Sequence, residues 1–124
     1  MSSKREGINM PDQPDLLQGT LDVLVLKALT WGPRHGHAVA RMIRSASGGA
    51  FEVLDGSLYA ALHRLEQREW VEADWGLSDK GKRAKFYKLT TRGRQQLRAE
   101  AASWQRYADA VASMLSATTQ PSEG

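Results

Sequence analysis

The sequence predicts a mostly helical α+β fold, in which three short helices and one small β hairpin form a first domain and a long helix follows at the C-terminal end. Three observations predict it. Leu58, Leu62 and Leu65 recur at i, i+4 and i+7, which is the apolar stripe of an amphipathic helix whose other face is left polar. A hairpin follows: Val71, Ala73 and Trp75 alternate with Glu72 and Asp74, and Lys82 to Leu89 alternates again after a tip at Gly76 to Gly81. Leu97, Ala101, Trp104, Ala108, Val111 and Leu115 are then spaced four, three, four, three, four, the a/d seam of a helix meant for another helix.

The chain of 124 residues is the length of one domain with one appended element. Hydrophobic residues make up 41% and charged residues 25%, ordinary values that argue against global disorder. Cysteine is absent, which excludes a disulfide framework and any cysteine-ligated metal site. No apolar run is long enough to span a bilayer and Met1 to Glu6 lacks the core of a signal peptide, so a cytoplasmic protein without a membrane partner is expected.

Residues 1–14 are polar and broken by Pro11 and Pro14, and read as a flexible arm. Residues 15–90 read as the first domain. Its first helix runs from Asp15, with Leu17, Leu21, Leu24, Ala28 and Leu29 on one face and Val23 and Leu26 widening it, and ends at Trp31-Gly32-Pro33. That width suggests burial on more than one side. A second helix opens at His35-Gly36-His37 and packs through Val39 and Ile43, leaving Arg41 and Arg44 off that face. Ser45 to Gly49 is a turn, and Phe51 to Val53 is a short extended piece.

The third helix, from Asp55, has the features of a reading helix. Asp55 or Ser57 can cap its first turn, and Ser57, Tyr59, Ala60, His63, Arg64 and Gln67 stand on the face opposite the stripe, small or polar groups able to approach a groove. Lys80, Lys82, Arg83, Lys85 and Lys88 crowd the hairpin, and no acid interrupts the run from Lys80 to Arg94. The formal net charge of +3 understates that local density. Three helices followed by a basic hairpin are the parts of a winged helix-turn-helix domain, in which wing cations neutralise phosphates beside the groove. The competing reading is a solvated basic hairpin with no ligand.

Thr90 caps the last helix, residues 91–116, and Gly93 in its first turn permits a close approach to the hairpin. Leu97, Ala101, Trp104, Ala108, Val111 and Leu115 would overrun a small core, so pairing with a second copy is the economical use of the seam, with the first helix and its Leu17 completing the interface. The alternative is a helix folded back on its own domain. Residues 117–124 read as a flexible tail.

At this point the chain resembles a known family. Gly19-Thr20-Leu21-Asp22, Trp31-Gly32-Pro33-Arg34-His35-Gly36, Gly56-Ser57-Leu58-Tyr59, Leu62-His63-Arg64-Leu65-Glu66 and Arg83 to Thr90 look like the signature segments of the PadR family of bacterial transcriptional regulators. The single terminal helix resembles its short subfamily. The resemblance implies a homodimer formed through the first and last helices, a double-stranded operator with inverted repeats, and repression that a small aromatic or hydrophobic effector relieves in some members. It implies DNA contact for Ser57, Tyr59, His63 and Arg64 on the reading helix and for Lys82, Arg83 and Lys85 on the wing, and Lys80 joins these as a candidate by its place in the basic run. Trp104 is similar to a tryptophan that some short members place at the dimer centre to stack planar ligands, with Leu16 and Val23 as apolar walls. Simple packing is the competing role for Trp104, and core or hairpin packing is expected of Trp31, Trp70 and Trp75.

Two departures stand out. Ala60 replaces the proline usual after the Leu-Tyr pair, and His37 replaces the tyrosine usual after Gly36. No catalytic constellation, cofactor motif or metal-ligand spacing is present in the sequence, since His35, His37 and His63 lack acidic or cysteine partners at ligand spacing. The remaining rivals are a winged-helix module that binds protein, and a DNA-binding regulator with no effector.

Overall fold

The computed structural model describes residues 18–122, so the N-terminal arm and the candidate contacts Leu16 and Leu17 lie outside the described residues. The elements are α1 (Gln18–Ala28), β1 (Arg34–His35), α2 (Gly36–Ala46), α3 (Asp55–Gln67), β2 (Val71–Leu77), β3 (Arg83–Leu89) and α4 (Thr91–Ser116). α1 is the hub: it packs against α2, α3 and α4. Its wide apolar surface is the reason, with Leu21, Val25, Leu26, Ala28 and Leu29 all buried. The helix stops three residues earlier than its pattern suggests, because turn bonds from Thr30 to Lys27 and from Gly32 to Leu29 replace the helical ladder before Pro33.

Around α1 the core closes from two sides. Leu58, Ala61, Leu62 and Leu65 of α3 are fully buried, as are Val39 of α2 and Val71 of β2, while Ile43, Tyr87 and Leu89 complete the cluster. The hairpin register pairs Val71 with Leu89, Ala73 with Tyr87 and Trp75 with Lys85, so one face of the sheet is apolar at its base and basic toward its tip. β2 extends to Leu77 and β3 starts at Arg83, which narrows the tip to residues 78–82.

A third strand was not expected. β1 is two residues long and pairs with β3, Arg34 against Tyr87 and His35 against Phe86, giving the antiparallel order β1-β3-β2. His35 then serves α2 as its N-cap, its Nδ1 accepting from Ala38 N at 3.2 Å. The start of α3 also differs from expectation. Its N-cap is Leu54, which has no side chain able to accept, so neither Asp55 nor Ser57 caps it. Asp55 is instead the first helical residue, where its charge opposes the helix dipole favourably.

α4 is anchored at its first turn. Thr90 accepts from Gly93 N at 3.0 Å and donates to the Glu69 carbonyl at 2.7 Å. A β carbon on Gly93 would collide with the Trp70 carbonyl, so glycine is what lets the helix begin against the base of the hairpin. Leu97 packs on the core, and farther along the helix Trp104 still meets Thr20 of α1. Among the described residues no helix is long and apolar enough to cross a membrane.

Candidate nucleic-acid interface

The packing of α3 decides which of its residues can be read. With Leu58, Ala61, Leu62 and Leu65 turned inward, Gly56, Tyr59, Ala60, His63 and Gln67 share the exposed face. This is a face of small and polar groups. Ser57 is half-buried at its edge.

Tyr59 leans toward α2. Its hydroxyl occupies the space a side chain at Gly36 would need, so Gly36 is the residue that allows α3 to lie this close to the start of α2. Partial burial, and secondarily the Asp55 carboxylate, raise the Tyr59 phenol above its ordinary value. The group therefore keeps its proton at neutral pH and can donate to a phosphate oxygen.

Between this corner and the hairpin runs an open cleft of about 620 Å³, lined by His35, His37 and Arg41 from one side, by Tyr59, and by Trp75, Lys80, Lys82, Arg83 and Lys85 from the other. Its cations differ in how committed they are. Lys85 Nζ lies 3.4 Å from Glu66 Oε1 of α3, and the Arg83 guanidinium stacks over Trp75 at 4.9 Å. Lys80 and Lys82 enter no ion pair among the described residues. Lys88 is on the opposite face of the sheet, where it meets Glu72 at 3.6 Å, outside the cleft.

Of the sequence candidates, Tyr59, Lys80, Lys82, Arg83 and Lys85 meet in this cleft, while His63 lies on the exposed face of α3 beside it. Arg64 does not join them. Its Nη2 lies 2.7 Å from Oδ1 of the buried Asp22 on α1, so the guanidinium turns inward and not toward a groove. His35, His37, Arg41 and Trp75 also line the cleft and are not among the sequence candidates for DNA contact. Arg41 was visible only as a cation off the packed face of α2. Trp75 was expected to pack, yet it is 57% exposed and stands among cations, because the hairpin outruns the helices that cover its base. Trp31 is likewise exposed, beneath the Lys27 ammonium at 4.8 Å, whereas Trp70 does pack on the core.

The second candidate region is on α4. Trp104 is 43% exposed, and its indole N–H donates to the Thr20 hydroxyl of α1 at 3.0 Å. Tyr107 meets it edge to face at 6.4 Å, and Val23 is half-buried on α1. Ala101, Val111 and Leu115 are exposed along the seam, whereas Leu97 and Ala108 are half-buried. No group of three His, Cys, Asp or Glu able to hold a metal exists among the described residues.

What this arrangement can do is bind an extended polyanion: a narrow helix face that fits a groove lies beside cations and a phenol that meet its phosphates. Comparison with known proteins agrees. Residues 25–99, more than half of the chain, match the transcriptional regulator PadR-like family. An uncharacterised protein of Lysinibacillus sphaericus is 33% identical over 91 residues, covering 73% of this chain and 83% of that one. A 37.1 kDa protein of a Streptomyces fradiae transposon is 42% identical over 89 residues, which span 72% of this chain and only 24% of that protein. Among solved structures, a PadR family transcriptional regulator from Eggerthella lenta superposes with a TM-score of 0.66 at 29% identity, covering 82% of this chain and 86% of that one. A protein of Streptococcus mutans, 18% identical, shares the fold with a TM-score of 0.75 over 91% of this chain and all of that one (100%). The winged-helix geometry and the family match together establish that this chain belongs to the PadR-like family of DNA-binding transcriptional regulators.

Proposed function

We propose that the protein is a homodimeric repressor that binds a pseudo-palindromic operator through α3 and the β2-β3 wing, and that a flat aromatic or hydrophobic effector releases it. The observation that carries this reading is the single cleft in which Tyr59 and the uncommitted Lys80 and Lys82 face one another beside the exposed face of α3. His63 and Gln67 are the groups on that face able to reach base edges, with Ser57 at its margin, and the wing cations hold the backbone. The exposed seam of α4 supports the second copy, since Val111, Met114 and Leu115 would otherwise leave apolar surface in water. Two reading helices would then enter major grooves about 34 Å apart.

The effector would sit where two Trp104 rings approach the twofold axis, with Val23 as one wall. Filling that space changes the angle between the two winged domains and weakens both half-site contacts together. Fluorescence anisotropy against a duplex covering the protein's own upstream region, beside a scrambled duplex and at several salt concentrations, tests the first part. Tight binding that prefers the upstream duplex and weakens steeply with salt is expected. Equal, weak binding to both duplexes would reject that operator assignment.

A further inference from the structure

Asp22 is the one buried charged side chain among the described residues, 6% exposed, and nothing in DNA binding as described above uses it. Its two oxygens face two arginines from the C-terminal end of α3: Arg64 Nη2 at 2.7 Å and Arg68 Nη1 at 3.8 Å. We propose that Asp22 is a positioning residue for DNA recognition, which fixes the rotation of α3 about its own axis by holding Arg64 and Arg68 against α1. This rests on the reading of α3 as the helix that enters the groove.

The physical argument is one of direction. The apolar stripe of α3 holds the helix down, but hydrophobic contact is non-directional and tolerates small rotations of a helix over its bed. Those rotations matter to a reading helix. A turn of about 20° moves side-chain tips on the exposed face by roughly 2 Å at a helix radius of 5–6 Å with side chains included, enough to lose a hydrogen bond to a base edge. An ion pair with hydrogen-bond geometry is directional, and the 2.7 Å contact of Arg64 is of the short, charge-assisted kind. An ion pair whose carboxylate is buried adds little stability over apolar groups of the same size, so specificity is the benefit it offers.

Asp22 also stands on a helix that is gripped from behind. Thr20, two residues earlier and so turned about 200° around α1, accepts the Trp104 indole N–H of α4. α1 is thus tied by one face to α4 and by the other to α3.

The test is Asp22→Asn in the full-length protein, which keeps an oxygen toward Arg64 and removes the charge. Both arginines are partly solvent-exposed, so the variant is expected to fold with a lowered melting temperature. Against a duplex selected from random sequence by the wild-type protein, its preference over a scrambled duplex should fall at least about tenfold, with the slope of affinity against salt unchanged, because no phosphate contact is lost. Amide exchange across residues 61–67 should quicken in the free protein.

An unchanged preference with unchanged exchange would overturn the proposal. So would a salt slope steeper by about 0.9 with preference retained, since that is the signature of Arg64 released to a phosphate. Should Asp22→Asn fail to fold, the double variant Asp22→Leu with Arg64→Met replaces the pair by apolar groups. Retained preference in that folded variant overturns positioning, and lost preference upholds it. If the wild-type protein selects no sequence at all, the DNA reading itself fails, and exchange across 61–67 in Asp22→Asn then decides positioning alone.

Discussion

The winged domain and α4 are made of similar residues and treat them oppositely. In the winged domain, apolar side chains are interior: Leu26, Leu29, Leu58, Leu62, Leu65, Val25, Val39 and Val71 are all less than 2% exposed. In α4 the only buried residue is Gly93, while Trp104, Tyr107, Val111, Met114 and Leu115 face outward. The difference teaches that the two regions solve different problems. One closes a core within a single chain, and the other leaves apolar side chains exposed along its length. The cations of the wing also differ among themselves: Lys85 and Lys88 pair with Glu66 and Glu72, whereas Lys80 and Lys82 enter no ion pair among the described residues.

The comparison breaks most visibly if a core residue is shortened. Leu62→Ala removes fully buried methyl groups from the centre of the winged domain and should cost about 2–5 kcal/mol in denaturant unfolding, abolishing DNA binding by unfolding. The paired change Val111→Asp and Leu115→Asp should leave the winged domain folded, because both residues are exposed, yet yield a monomer in sedimentation. Operator affinity should then drop by about a hundredfold, since two linked half-site contacts become one. A dimer that persisted would mean that the seam is not the interface. The smallest effect sharpens the charge contrast. Lys82→Ala should reduce the slope of log affinity against log salt by about 0.9 with stability unchanged, whereas Lys88→Ala, on the other face of the sheet, should leave the slope as it is.

Most of the fold is legible in the sequence because most of it is local. The stripe of α3, the alternation of β2 and β3, and the cap at Thr90 are written within a few residues of one another and appear where periodicity puts them. What was illegible is non-local. β1 has two residues, too few for any alternation, and exists only because β3 offers an edge more than fifty positions later. The pairing of Arg64 with Asp22 spans 42 positions, and from sequence alone an arginine beside a reading face looks like a DNA contact. Trp75 follows its strand's alternation faithfully, but alternation says which face a residue takes and not how far along that face the cover extends. Lys80, Lys82, Arg83 and Lys85 were legible as a charge run, while Arg41, across the cleft from them, needed the fold to bring it there.

Trp104 sets the length of the free arm of α4. Gly93 lets the backbone of the helix rest directly on the Trp70 carbonyl at the foot of the wing, Leu97 packs on the core and Trp104 is bonded to Thr20 of α1, so the arm beyond these holds is residues 105–116. At 1.5 Å per residue that arm is about 18 Å long, so a tilt of about 5° at its root displaces the far end by roughly 1.6 Å. Run in reverse, the same ratio means that a coarse shift imposed at the far end arrives at α1 as a fine adjustment of angle.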